Sequence, residues 1–219
     1  MNPFLLRRFP WLKIAILLIA ISVHMARADG LESLENFVRG VNAGRADFTQ
    51  TVTAPAKSGQ VARSKTSSGT FEFLRPNRFR FVYKKPFEQT IVADGQTLWL
   101  HDVDLNQVTA RSQAQVLGST PAALIAAAPD LKALQSEYAL QAAPEKDGMQ
   151  WVLALPKAKE GQLQSVRVGF RGNDLAVLEI LDSFGQKSVL VFGPLDVSKP
   201  LRAADFQFKP PAGADVLRQ

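Results

Sequence analysis

Mainly β, with a few short helices set against one curved antiparallel sheet, is the fold class this sequence predicts. Three observations carry it. Apolar and polar residues alternate in about eleven short segments between Ala46 and Val191. Turn residues separate these segments at close spacing, and no helix of crossover length lies between neighbours, which argues against parallel βαβ units. The few helical stretches are small and apolar, so they must lie against the sheet.

The first element is a helix, because Leu31, Leu34, Phe37, Val38 and Val41 recur at helical spacing and Gly40 and Gly44 mark its end. The period then changes to two. Ala46–Thr53 is a strand, and the polar stretch Ala54–Ser68 is expected to be a mobile hairpin connection. Gly69–Leu74 alternates around Phe71 and Phe73; after the turn at Pro76-Asn77, Arg78–Lys84 alternates around Phe79, Phe81 and Tyr83. Gln89–Ala93 and Thr97–His101 flank Asp94-Gly95, a strong hairpin dipeptide, and Leu105–Ala110 follows. In residues 112–135, Pro121 opens a short Ala-rich helix behind the candidate caps Ser119 and Thr120; Pro129 stops it, and Asp130–Gln135 forms a short turn. Strands resume at Glu137–Ala142, Gln150–Leu155, Leu163–Phe170, Leu175–Leu181 and Ser188–Val191, and a turn at Ala203–Asp205 precedes Phe206 and Phe208. The aromatic rows give the sheet a greasy concave face that the first helix and the Pro121 helix would cover.

Charge and composition narrow the function. The chain has 219 residues, 26 Lys and Arg against 20 Asp and Glu, and is 46% apolar and 21% charged, an ordinary globular balance. Residues 1–28 hold Arg7, Arg8, Lys13 and Arg27 and no acid, so the remaining body has 22 bases against 20 acids. A nearly neutral body removes the compositional case for a nucleic-acid partner. The basic start, the apolar run Ile14–Val23 and Ala26-Arg27-Ala28 read as an export signal cleaved after Ala28. The uncharged run is ten residues, against about 20 needed to span a bilayer. Residues 1–28 are therefore expected to be a signal peptide and 29–219 a single exported domain, periplasmic and bacterial since no cysteine framework accompanies export.

Zero cysteine excludes disulfides, a catalytic thiol, thiolate metal sites and an acylated N-terminal Cys. The body's lone histidine, His101, stands beside Asp102 and Asp104; an Asx-capped turn explains that trio better than a metal corner or a hydrolase. No nucleophile elbow, phosphate loop or dinucleotide fingerprint is present, so no catalytic residue, metal or cofactor is expected. Arg75, Arg78, Arg80, Lys84 and Lys85 read as the solvated outer face of a strand.

Several stretches, in this order, resemble the bacterial outer-membrane lipoprotein carrier (LolA) family. They are Phe48-Thr49-Gln50, Gly69-x-Phe71, Arg75-Pro76-Asn77-x-Phe79, Pro86-x-Glu88, Ile91-Val92-x-Asp94-Gly95-x-x-Leu98-Trp99, Asp104-Leu105-x-Gln107-Val108-Thr109, Thr120-Pro121-x-x-Leu124 and Phe206-x-Phe208-x-Pro210-Pro211-x-Gly213. The resemblance implies an incomplete antiparallel β-barrel of about eleven strands with an α-helical lid over an apolar cavity. It implies a periplasmic chaperone that takes acylated lipoprotein cargo from an inner-membrane ABC lipoprotein-releasing complex to an outer-membrane receptor lipoprotein; a monomer is expected. It implies that Arg75 hydrogen-bonds lid backbone and latches the closed state, and that Phe79 lines the cavity and influences release. Phe81, Ile91, Trp99 and, on the lid, Leu124 and Ile125 are the further candidate lining residues; plain core packing is the competing account of all of them. The face of Trp99 depends on strand register, which a one-residue slip inverts. The longer Ala54–Ser68 connection departs from the family. A lipid- or peptide-sensing regulatory domain on the same sheet is the alternative function.

Overall fold

A computed structural model describes residues 29–56, 61–116, 128–158 and 161–219. Helix α1 (Gly30–Gly40) starts where the Asp29 carboxylate accepts the Glu32 N–H at 2.9 Å, and its buried stripe is Leu34, Phe37 and Val38. Each such side chain stabilises by about 1.5–3 kcal/mol on full burial. At Gly30 the helix comes so close to the sheet that a β-carbon would lie 2.1 Å from the Trp151 carbonyl oxygen, so only glycine fits.

Twelve strands follow: β1 (Ala43–Thr53), β2 (Ser64–Leu74), β3 (Arg78–Lys85), β4 (Gln89–Ala93), β5 (Thr97–Asp102), β6 (Gln107–Ser112), β7 (Tyr138–Lys146), β8 (Met149–Pro156), β9 (Leu163–Arg171), β10 (Asp174–Asp182), β11 (Lys187–Phe192) and β12 (Asp215–Arg218). The helical turn α2 (Gln113–Val116) and helix α3 (Leu131–Glu137) lie between β6 and β7. The sheet order is β12-β6-β5-β4-β3-β2-β1-β11-β10-β9-β8-β7. Two antiparallel meanders, β1–β6 and β7–β11, are thus welded along β1 and β11, where Phe48 faces Phe192. Strands β12 and β7 are the two edges, and no pairing joins them among the described residues. The sheet is an open barrel.

The expected fold class holds, with three differences. There is a twelfth strand: β12 runs parallel to β6, from Asp215 opposite Gln107 to Arg218 opposite Ala110. Ser64–Ser68 belongs to β2, so the connection spans only 54–63; the ladder continues there through the Thr53–Ser64 hydroxyl pair at 2.9 Å. The expected turn at 130–135 is helix α3, capped by the Asp130 carboxylate on the Ala133 N–H at 2.8 Å. The Pro121 helix, the cleavage site and residues 1–28 lie outside the described residues.

Candidate functional site

The concave face is built from β1 to β4. The register sets Phe71 opposite Ala46 and Phe81, and Phe73 opposite Phe79. Phe81 in turn faces Ile91, and Phe79 faces Ala93. All these side chains therefore share one side of the sheet, as strand alternation requires. The Phe71 and Phe81 ring centroids are 4.5 Å apart, and Phe48 meets Phe81 edge-on at 5.3 Å. From above, Phe37 of α1 reaches Phe73 at 6.0 Å and Phe170 of β9 at 5.8 Å. Phe79 is fully enclosed and Phe81 is 6% exposed, while Ile91 is half-buried against the same cluster.

Toward the other end this face changes character. Gln50, Val52, Lys65, Ser67, Tyr83, Gln89 and Asp102 continue the inward rows and border an open hollow of about 660 Å³. Its floor is braced by the Tyr83 hydroxyl, which donates to Gln50 Oε1 at 2.9 Å; burial pushes that phenol up to about 12. Val61, Phe87, Leu105 and Phe184, each at least 59% exposed, stand on the loops at this end.

Arg75 ends β2's inner row at the opposite, helix-covered end, just beyond the strand. Its Nε–H donates to the Val41 carbonyl after α1, and Nη1 donates to the Ala128 carbonyl, both at 2.9 Å. One side chain thus ties β2 to the end of α1 and to the chain leading into α3. The guanidinium carbon lies 5.4 Å from the Phe37 and the Phe73 ring centroids. The residue is 8% exposed, and burial lowers its pKa to about 10, so it remains charged at neutral pH.

The candidate residues separate accordingly. Phe79, Phe81 and Ile91 share the concave face, and Arg75 sits at its covered end. Leu124 and Ile125 lie outside the described residues. Trp99 is a correction: it pairs with Val92 and Ala110, so it occupies the convex face with Arg80. There its indole N–H donates to Asp94 Oδ2 at 2.8 Å, and its ring lies 5.5 Å from Phe208. Hydropathy alone marks Trp99 as buried without saying on which side. The basic row divides as well. Arg75 is buried under the helices, whereas Arg80 lies outside and pairs with the buried carboxylate of Glu72, which also binds Arg45. His101 faces the Phe208 ring at 5.9 Å on the convex side. No group of three or more His, Asp or Glu able to hold a metal ion occurs among the described residues.

Gln113 has no sequence signal. Only 1% exposed, it donates from Nε2 to the Asn77 carbonyl at 2.7 Å and accepts the Gly95 N–H at 2.9 Å. It thereby pins the two turns beside Arg75 and Trp99. Asn77 takes a left-handed φ of 66°, which explains an asparagine after Arg75-Pro76.

Residues 39–209 match the family described as outer membrane lipoprotein carrier protein LolA. An outer-membrane lipoprotein carrier protein of Albidiferax ferrireducens is 70% identical over 209 residues, covering 94% of this chain and 98% of its own. One from Leptothrix cholodnii is 56% identical over 206 residues, covering 94% and 93%. A solved LolA superfamily protein of Nitrosomonas europaea aligns at 14% identity with a TM-score of 0.48, over 82% of this chain and 96% of that one.

Proposed function

The chain belongs to the outer-membrane lipoprotein carrier protein LolA family, and on that premise we propose that it shelters the acyl chains of a lipoprotein on its concave face while the cargo crosses the periplasm. The observation that carries this reading is the unbroken inward row from the Phe71–Phe81 cluster to the open hollow beyond Tyr83. Acyl chains gain about 0.8 kcal/mol per CH₂ removed from water. Two long chains would otherwise drive aggregation, so a soluble carrier must cover them with an apolar wall. That wall must also be uncoverable. A cover tied through Arg75 by two hydrogen bonds suits this, since such bonds to a charged group are worth about 1.5–3 kcal/mol each. The hollow, flanked by the exposed apolar loop tips Phe87, Leu105 and Phe184, leaves this end of the wall open to solvent.

On this reading the chain is exported, cleaved after Ala28 and acts as a monomer. It is loaded by an inner-membrane ABC lipoprotein-releasing complex and emptied by an outer-membrane receptor lipoprotein. Native mass spectrometry of the protein recovered from the periplasm is the direct test. A bound, acylated polypeptide is the expected result, and a protein that is empty while lipoproteins are being exported overturns the reading.

A further inference from the structure

The guanidinium of Arg75 has five N–H donors, and two of them account for its hydrogen bonds, to Val41 and Ala128. Its third nitrogen, Nη2, is enclosed and has no hydrogen-bond partner among the described residues. No carboxylate pairs with Arg75 among the described residues, and its closest ring neighbours are Phe37 and Phe73. An enclosed donor without an acceptor is unfavourable, and the sheet's own carbonyls are occupied by the strand ladders. Among the described residues, the covered end of the concave face therefore keeps a spare donor and shows no acceptor for it.

The cargo brings the complementary deficit. Where an acyl chain joins glycerol or an amino group, the linkage carries a carbonyl. An ester carbonyl is an acceptor with no donor of its own, and in an apolar enclosure it lacks water. We propose that Arg75 is a cargo-binding residue as well as a tie for the helices: Nη2, joined by Nη1 when Ala128 withdraws, donates to an ester or amide carbonyl of the acyl linkage. Opening then exchanges one carbonyl for another and does not strand a bare buried guanidinium. This rests on the carrier reading above and adds selectivity for the acyl linkage over a bare hydrocarbon chain.

The test compares two synthetic lipopeptides with identical peptides and chain lengths. One has a diacylglyceryl group with two ester carbonyls, and the other is its dialkyl ether, which has none. Binding to the exported protein is measured by displacement of a fluorescent fatty acid. The expected result is a preference for the ester of about tenfold, the size of one charge-assisted hydrogen bond. Arg75→Leu is expected to abolish the preference by weakening the ester to the level of the ether. In wild-type protein, a ¹³C-labelled ester carbonyl should also shift to lower infrared frequency on binding. Equal affinity of the wild-type protein for both ligands overturns the proposal and leaves the carrier reading standing. A preference that survives Arg75→Leu does the same. Failure to bind either ligand overturns both readings. The wild-type comparison needs no variant, so a poorly folding Arg75→Leu does not leave the question open.

Discussion

The two faces of this sheet are both apolar, yet they are covered in different ways. On the convex side the chain covers itself with its own C-terminal segment. Phe206 is fully enclosed there, Phe208 lies against Trp99, and Val92, Val108 and Ala110 are buried beneath them. The arginine on that side, Arg80, donates to Glu72 through Nε at 2.8 Å and to the Asp205 carbonyl through Nη1 at 3.0 Å. It joins a buried ion pair to the cover. On the concave side the cover is α1 and the chain around Ala128, and the arginine holding it has carbonyl partners and no carboxylate. A charge paired with a buried carboxylate is costly to separate, whereas a carbonyl is replaceable by any other acceptor. On the proposed reading the convex cover is permanent and the concave one exchangeable, and the two arginines, five residues apart, would then have opposite tasks.

The largest effects are expected at one fully enclosed phenylalanine from each face, Phe206 on the convex side and Phe79 on the concave side. Phe206→Ala and Phe79→Ala each remove a ring from a fully buried site, and each is expected to lower stability by about 3–4 kcal/mol in urea unfolding. Only Phe79→Ala is expected to alter cargo uptake and release per folded molecule. If both variants lose stability alone, the concave face is ordinary core. If Phe206→Ala alters exchange equally, the two faces do not divide the labour.

Arg75→Leu sharpens the same comparison at smaller cost to the fold. The variant loses two hydrogen bonds but also removes the cost of an enclosed guanidinium, so the stability loss is expected to be about 1–3 kcal/mol. Cargo is still bound through its hydrocarbon chains. Transfer to outer-membrane acceptors is expected to fail, because the cover no longer re-forms over the emptied face. Normal delivery by this variant, measured in a two-membrane transfer assay, counts against the tie.

Much of this division is legible in the sequence, where local chemistry decides it. Strand β4 lies at Gln89–Ala93 as expected, because alternation and the Asp94-Gly95 turn agree. Arg75-Pro76-Asn77 announces a turn whose asparagine must take positive φ. Phe79 and Phe81 share a face because they are two residues apart. The parts without a local signal depend on partners distant in the chain. The polar start of β2 lacks alternation, and its pairing rests on Thr and Ser hydroxyls across from β1. Strand β12 is four exposed residues whose only strand neighbour among the described residues is β6, over a hundred positions earlier. Trp99 looks like a lining residue until the register with Val92 turns it outward. No local pattern reveals that Phe206 and Phe208 return to cover that outer side.

The gentlest probe of the convex cover is acid. Partial burial raises the Asp94 carboxyl, but the Thr97 N–H, the Trp99 indole and the Gln96 N–H all donate to it. With the nearby charge of Arg78 they more than reverse that effect, and its pKa lies below the ordinary carboxylate value. A folded pKa below the unfolded one means that the ionised group supports the fold above the ordinary carboxylate range. That support is lost as pH falls through the lowered value. Because Trp99 is itself a donor, its fluorescence is expected to change below about pH 4, while the concave aromatic cluster, which contains no carboxylate, remains packed. Asp94→Asn is expected to remove this acid step from the titration. In the chain cleaved after Ala28, which has lost Trp11, Trp151 on β8 supplies the second signal, and replacing it with Phe isolates Trp99. A titration in which β8 and the Trp99 hairpin respond together would show that the convex cover and the rest of the sheet open as one unit.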